Sequence, residues 1–269
     1  MYSLLSISKH LILISILAVV AVQLLLTHSV SCLNMTNAYI HHKCYITQGK
    51  YEPGSEYEEH LTSIAQTISS TKDLSKGYVM MGFTGDGIFV SVIVQCRGDS
   101  HGPKCHSCYA TALSGLRRRC PKYKGGIVWY EHCLLEFSGN DTQYQNDYDN
   151  NFCMHNPKNV SDDQVDVNNS FNRKWTILLS NLTRKAIKIE NNDLTPLYAA
   201  GERNFGKYKI YGMVQCTLDI TIKGCQECIG HNMVEFQDCL YGKRGGRVLG
   251  RSCNFRFELY PFVPNSLKM

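Results

Sequence analysis

The chain has 269 residues, of which 43% are apolar and 19% charged, so it can form one large folded domain or two small ones. This composition excludes a disordered tail and a collagen-like fibre. Thirteen cysteines exclude an ordinary cytosolic protein, because cytosolic thiols are kept reduced. The net charge of +5 arises after Cys153, where 16 basic residues face 11 acidic ones. So small an excess argues against nucleic-acid binding and suits solubility or an acidic surface.

The N-terminal segment has the pattern of a secretory signal peptide. Lys9 and His10 precede an apolar run from Leu11 to Leu26, and small residues follow before Cys32. We expect residues 1–31 to be removed during export, although an uncleaved anchor is an alternative because the run is long for a signal peptide. No second apolar stretch approaches the ~20 residues of a membrane span, so we expect no stable membrane insertion after cleavage.

The first predicted helix follows Pro53-Gly54. Ser55 and Glu58, three residues apart, have the pattern of a capping box at its start. We expect the preceding pair His41-His42 to lie in a mobile N-terminal segment. The helix should pack through a stripe of apolar residues at helical spacing, namely Leu61, Ile64, Ala65 and Ile68.

A hairpin and a second helix follow in the first half. Two β-prone runs, Tyr78 to Phe83 and Ile88 to Gln95, are joined by a Gly-Asp-Gly turn that is typical of hairpins. The second helix carries Cys105 and Cys108 on one face, because residues three apart are neighbours on a helix. Closing strands are predicted from Gly126 to Phe137, with a break near Cys133.

The second half repeats this order of elements. The polar segment from Asn140 to Ser170 is predicted to be a linker or exposed loop, and a helix should open near Ser170. Strands are predicted at Leu197 to Glu202, at Lys207 to Gln215, and at Arg247 to Tyr260 with a break near Cys253. Helices alternate with antiparallel strands in both halves, so the predicted class is α+β. The apolar stripe of the first helix in this half comprises Phe171, Trp175, Leu178, Leu182 and Ala186.

The cysteines show that the two halves are repeats. Five cysteines of the first half recur in the second half, four of them with an offset of 120 residues and one with an offset of 119. One upstream cysteine in each half brings the count to six plus six. A zinc site made from the two Cys-x2-Cys pairs, or thioredoxin-like chemistry, is an alternative to structural disulfides, but secretion disfavours free thiolates. We expect no metal and no cofactor. The repeated cysteines are Cys96, Cys105, Cys108, Cys120 and Cys133, then Cys216, Cys225, Cys228, Cys239 and Cys253; the upstream ones are Cys44 and Cys153.

Motifs for catalysis are absent from the sequence, whereas motifs for glycosylation are present. Neither Gly-x-Ser-x-Gly nor His-Glu-x-x-His occurs, so we expect a protein that is not an enzyme. Five Asn-x-Ser/Thr sequons are candidate glycosylation sites in a secreted chain. They lie at Asn34, Asn140, Asn159, Asn168 and Asn181.

The doubled Cys-x8-Cys-x2-Cys core and the segment from Cys253 to Phe262 closely resemble the plant cysteine-rich repeat secretory proteins, whose module is called DUF26 or the ginkbilobin-2 homologous domain. The resemblance implies two tandem domains, at residues 32–139 and 153–263, each with two helices against a five-stranded antiparallel sheet. Residues 140–152 would be a linker and 264–269 a tail. The resemblance also implies the disulfides Cys44–Cys120, Cys96–Cys105 and Cys108–Cys133, then Cys153–Cys239, Cys216–Cys225 and Cys228–Cys253.

The same resemblance implies a ligand and a site. A family member with antifungal activity binds mannose through an asparagine, an arginine and a glutamate, and Arg247 and Glu258 match the last two, while Met154 replaces the asparagine. In the first half Tyr45, Ile127 and Ser138 stand at the three positions. We therefore expect a secreted apoplastic protein that binds a mannose-type glycan or cell-wall polysaccharide in defence. One alternative is a protein–protein interaction module that engages receptor-like kinase ectodomains or cell-wall partners without sugar binding. Another is a purely structural ion pair between Arg247 and Glu258.

Overall fold

The structure is a computed structural model that describes residues 37–141, 144–160, 165–188, 197–206 and 208–263. The predicted signal peptide, Cys32, Asn34 and the tail at 264–269 lie outside the described residues.

The first domain contains two long helices and five strands, with short 3₁₀ turns at Ile46–Gln48 and Lys72–Lys76. Its second helix begins at a proline, which is favoured at that position because its missing N–H has no helical partner there. In chain order the elements are β1 Tyr39–Cys44, α1 Glu56–Ser70, β2 Tyr78–Gly85, β3 Ile88–Cys96, α2 Pro103–Arg119, β4 Gly126–Tyr130 and β5 Cys133–Ser138.

The second domain repeats the order and adds a four-residue helix that carries Cys239. Its elements are β6 Phe152–His155, α3 Val165–Ala186, β7 Tyr198–Phe205, β8 Tyr208–Cys216, α4 Ile222–Glu235, α5 Gln237–Leu240, β9 Gly245–Leu249 and β10 Cys253–Glu258.

Each domain has one five-stranded antiparallel sheet, as the resemblance implies. The strand order is β1-β4-β5-β3-β2 in the first domain and β6-β9-β10-β8-β7 in the second. The registers agree as well, because Cys133 lies opposite Cys96 and Cys253 lies opposite Cys216. The α+β tandem predicted from the sequence is therefore confirmed.

Both faces of the central strands are buried. Along β5, Leu135 and Phe137 pack under the helices, while Leu134 and Glu136 point to the opposite face, yet all four are buried. Successive residues of a strand alternate between the two faces, so a wholly buried strand must be covered on both sides. Helices cover one face of each sheet, and the other domain covers part of the second face.

The twelve cysteines that the structure describes form six disulfides, three in each domain, and none of these joins one domain to the other. They are the pairs that the resemblance implies. Bridges of this kind each stabilise a small domain by typically about 2 to 4 kcal/mol. In the first domain they join Cys44 to Cys120, Cys96 to Cys105 and Cys108 to Cys133; in the second they join Cys153 to Cys239, Cys216 to Cys225 and Cys228 to Cys253.

The structure corrects three local predictions. The Ser55 side chain makes no capping bond; Glu58 instead accepts a hydrogen bond from the Gly54 N–H at 2.8 Å, so the capping box is incomplete. Helix α3 begins at Val165, ahead of the predicted start at Ser170, because the polar residues before the apolar stripe continue the helix. His41 lies in β1, and its ring is 4.2 Å from the ring of Phe152 rather than in a mobile segment.

Among the described residues, no helix combines the length and the apolarity that a membrane crossing requires.

Candidate functional site

The two domains meet through the sheet faces that point away from their own helices. Ile127, Trp129 and Leu134 of the first domain form a buried apolar cluster against Phe152 and Leu249 of the second. The Trp129 indole N–H donates to the Gly250 carbonyl at 3.1 Å, which satisfies the one polar group of this buried ring.

At the ends of β3 and β8, hydrogen bonds from the Gln215 side chain to the backbone of the first domain extend this interface. The Gln215 side-chain amide donates to the Cys96 carbonyl at 2.9 Å, and its oxygen accepts from the Gly98 N–H at 3.3 Å. Gly98 lies so close to the ring of Tyr198 that a Cβ atom there would overlap it. Glycine therefore permits the close approach of the two domains at this point.

Three arginines surround Glu131 at the mouth of the interface. Arg97 and Arg256 each donate to its Oε1 at 2.8 Å, and Arg247 donates to its Oε2 at 2.9 Å. Two of the arginines belong to the second domain, so this carboxylate links the domains. Burial opposes ionisation of Glu131, but the guanidinium groups of Arg247, Arg256 and Arg97 outweigh it and lower the pKa of the carboxyl group.

Arg256 connects this cluster to Glu258. Its Nε donates to Glu258 Oε1 at 3.1 Å, its Nη2 donates to the Tyr260 hydroxyl at 2.8 Å, and its guanidinium lies 4.3 Å from the ring centre of Phe262. The planar fork of arginine allows these contacts at once. Burial raises the pKa of Glu258, although Arg256 and Arg247 act in the opposite direction.

A second ionic cluster lies deeper in the interface. Arg251 donates from Nε to Glu136 Oε2 of the first domain at 3.0 Å and from Nη1 to Asp219 of its own domain. Tyr45 donates its hydroxyl to Glu136 Oε1 at 2.7 Å. The side chains of Arg251, Glu136 and Asp219 are at most 1% exposed, so water does not stabilise these charges and each depends on the others.

The predicted sugar-binding residues, Arg247 and Glu258, belong to the ionic cluster around Glu131, here called the outer cluster. Both are already bonded within the protein. The register of β9 and β10 places Arg247 opposite Arg256 and Glu258 opposite Gly245. Arg247 therefore bonds Glu131, and Glu258 bonds Arg256, in place of the ion pair that the sequence suggested between Arg247 and Glu258. Met154, at the asparagine position, lies opposite Arg247 on β6 and is exposed.

The corresponding positions of the first domain are also engaged. Tyr45 bonds Glu136, and Ile127 is fully buried in the interface. The Ser138 hydroxyl accepts from Gln48 at 3.0 Å and donates to the Asn140 carbonyl at 2.8 Å. None of the three offers a sugar clamp.

The cleft beside Arg247 and Arg256 is narrow. Its volume is about 40 Å³, enough for a few water molecules and too small for a hexose ring. A larger cavity of about 410 Å³ lies on the first domain between the start of α1 and the β2–β3 turn. It is lined by Lys50, Tyr51, Glu52, Tyr57 and Lys124, among others.

The predicted sequons occupy different environments. Asn140 and Asn159 are exposed, and Asn159 accepts a hydrogen bond from Lys243 at 2.9 Å. Asn181 is half-buried within α3, where Arg184 donates to its side-chain oxygen. Asn168 lies in the first turns of α3, and its side chain is outside the described set.

The cysteines proposed as zinc ligands are consumed in disulfides. Cys105 and Cys108 bond Cys96 and Cys133, and the equivalent pair in the second domain does the same. Within the described part of the chain, the group that comes nearest to metal-ligand geometry is His42 with Cys44 and Cys120, and these two cysteines are joined to each other.

The sequence analysis missed the residues that join the domains, namely Arg97, Glu131, Glu136, Arg251 and Arg256. A signal was available: with the offset of 120, Glu131 aligns with Arg251 and Glu136 aligns with Arg256. Opposite charges at equivalent positions of a repeat indicate that the two copies face each other.

These features define a class: a disulfide-bonded tandem of two homologous α+β modules packed face to face. A family model described as "Salt stress response/antifungal" matches residues 43–140 and 152–260. The chain is 55% identical over 279 residues to cysteine-rich repeat secretory protein 17 of Arabidopsis thaliana, covering 99% of each chain. It is 52% identical to protein 16 of the same series, covering 94% of this chain and 93% of that one. The chain therefore belongs to the cysteine-rich repeat secretory protein family.

Solved structures agree with this fold. The tandem DUF26 ectodomain of the Arabidopsis thaliana cysteine-rich receptor-like protein PDLP8 matches with a TM-score of 0.66 and 17% identity, over 83% of this chain and 98% of that one. The PDLP5 ectodomain matches with a TM-score of 0.64 and 20% identity, over 82% and 99%. The relatives are named secretory proteins, and six disulfides require an oxidising compartment, so the protein is secreted and extracellular.

Proposed function

We propose that the protein is a non-catalytic recognition protein of the plant apoplast that acts in defence by binding another extracellular protein. The observation that carries this proposal is the small volume of the interdomain cleft. Arg247 and Glu258 are bonded within the protein, and the space beside them is about 40 Å³. Recognition is then left to the outer surface of the paired domains, and a receptor-like kinase ectodomain is the class of partner that we favour.

Binding of a mannose-type glycan or cell-wall polysaccharide, with an antifungal role, is the second candidate. One observation favours it: the Arg247 side chain is 20% exposed and lines the cleft. A guanidinium group can donate several hydrogen bonds to sugar hydroxyls. This candidate requires the cleft to widen.

Two variants separate the candidates. Arg247→Ala removes the guanidinium group, whereas Glu131→Gln keeps it and weakens its hold on the first domain. If a sugar binds there, methyl mannoside should give heat in titration calorimetry with the wild type, none with Arg247→Ala, and more favourable binding with Glu131→Gln.

If the partner is a protein, methyl mannoside gives no heat with any of the three proteins. Immobilised tandem DUF26 ectodomains should then bind the wild type saturably in surface plasmon resonance, and methyl mannoside should not compete. Saturable mannoside binding that Arg247→Ala abolishes would overturn the protein-partner proposal in favour of the sugar.

A further inference from the structure

The interface between the two domains has an approximate two-fold relation that follows the repeat. Tyr78 at the start of β2 and Tyr198 at the start of β7 are 120 residues apart and lie opposite Gln95 and Gln215 in their sheets. The charge of Asp219, across the interface, acts on the Tyr78 hydroxyl, as the charge of Asp99 acts on that of Tyr198. Each domain thus presents the same positions to the other.

Two ion pairs across this interface use the same positions of the repeat, which are acidic in the first domain and basic in the second. One pair joins Glu136 of the first domain to Arg251 of the second, and another joins Glu131 to Arg256. With the offset of 120, Glu136 corresponds to Arg256 and Glu131 to Arg251. The first domain supplies both acids, and the second domain supplies both bases.

Arg97 balances the additional negative charge that this exchange leaves in the first domain. Asp219 is equivalent to Asp99, and it pairs with Arg251 of its own domain. In the first domain the place of Arg251 is taken by Glu131, a second negative charge. Arg97, where the second domain has Thr217, bonds Asp99 at 2.6 Å and Glu131 at 2.8 Å and so neutralises both carboxylates.

We propose that this exchange of charge selects the partner domain: the acidic face of a first domain accepts the basic face of a second domain and excludes a copy of itself. In a pairing of two first domains, Glu131 of each would face Glu136 of the other. In a pairing of two second domains, Arg251 would face Arg256. Like charges in a buried interface are strongly unfavourable, whereas each observed pair joins opposite charges.

Two variants of the full chain test the proposal. Glu131→Arg with Glu136→Arg makes both faces basic, and Arg251→Glu with Arg256→Glu makes both faces acidic. Neither variant can pair its own domains, but a mixture can form one wholly native interface, between the acidic first domain of one chain and the basic second domain of the other. We expect analytical ultracentrifugation to show monomers for each variant alone and a doubling of mass in the equimolar mixture.

The control reverses an ion pair within the second domain, between β7 and β8, by Glu202→Lys with Lys209→Glu, and should leave the chain monomeric in every mixture. Wild-type unfolding temperatures for both interface variants, together with no association on mixing, would overturn the proposal. If the double reversals do not fold, Glu131→Lys and Arg256→Glu are compared singly and together. The combination should recover part of the unfolding temperature that each single change loses, and a purely additive loss would overturn the proposal.

Discussion

At the scale of single residues, we expect the buried side chain of His132 to make the stability of the protein depend on pH. His132 lies beside the outer cluster, 7% exposed, with its Nδ1 3.0 Å from the Ser100 hydroxyl. Burial, with the positive charges of Arg97 and Lys104, lowers the pKa of His132 to about 4. In the unfolded chain His132 becomes protonated near pH 6.5, whereas in the folded protein it becomes protonated only near pH 4. Protonation therefore favours the unfolded chain, and the free energy of unfolding decreases as the pH falls through this range.

We predict that His132→Asn flattens this dependence. Between pH 7 and pH 4.5 the wild type should lose about 2 kcal/mol of unfolding free energy more than the variant, because a pKa shift of one unit is worth about 1.4 kcal/mol. Urea denaturation at the two pH values measures the difference, with His155→Asn, at an exposed position, as the control. Equal losses in the wild type and in His132→Asn would show that this histidine does not set the dependence.

At the scale of elements, α1 and α4 each have a hydroxyl residue at the N-cap position, but only one of the two hydroxyls bonds its helix. Thr221 caps α4 with its side-chain oxygen, which accepts from the Gly224 N–H at 2.9 Å. Ser55 is the N-cap residue of α1, but its hydroxyl is buried without a hydrogen-bond partner. The first N–H groups of a helix lack internal partners, so a side chain that bonds one of them stabilises the helix.

We predict that Thr221→Ala lowers the unfolding free energy by about 1 kcal/mol, whereas Ser55→Ala leaves it unchanged or raises it slightly. Both variants remove an N-cap hydroxyl, one that bonds its helix and one that does not, and so control for each other. Chemical denaturation at neutral pH is the measurement. A loss from Ser55→Ala as large as that from Thr221→Ala would mean that Ser55 caps α1 in solution.

At the scale of the whole molecule, we expect the close approach of Gly98 to Tyr198 to couple the folding of the two domains. A methyl group at Gly98 would overlap the Tyr198 ring, so the domains would have to shift apart or the ring would have to turn. The Gly98 N–H bond to Gln215 and the neighbouring ionic clusters depend on the same approach. A substitution at Gly98 should therefore weaken contacts throughout the interface.

We predict that Gly98→Ala destabilises the protein by about 1 to 3 kcal/mol, as expected for an overpacked interface, and separates one calorimetric unfolding transition into two. Gly230→Ala is the matched control. A Cβ atom at Gly230 on α4 meets nothing within 4 Å, and alanine is the better helix former, so this change should stabilise slightly. Unaltered, single-transition unfolding of Gly98→Ala would contradict the coupling.

Much of the fold could be predicted from the sequence because its signals are local. The apolar stripe of α1, the Asp86-Gly87 turn and the two closing strands of each domain follow from the spacing of a few neighbouring residues. The start of α3 could not be predicted in this way, because the two apolar residues before Ser170, Val165 and Val167, are two positions apart and do not have helical spacing. The disulfide partners came from family resemblance, since spacing alone leaves 15 connectivities for six cysteines.

The sequence by itself determined the repeat, the number and order of the domains' main elements and the oxidising compartment. Only the tertiary structure decided what Arg247 and Glu258 bind, because their partners depend on which sheet faces meet. Glu131 is 116 residues from Arg247 along the chain and 2.9 Å away in space. Charge acts over distance in space rather than along the chain, so the packing of one domain on the other decided whether these side chains were free for a ligand.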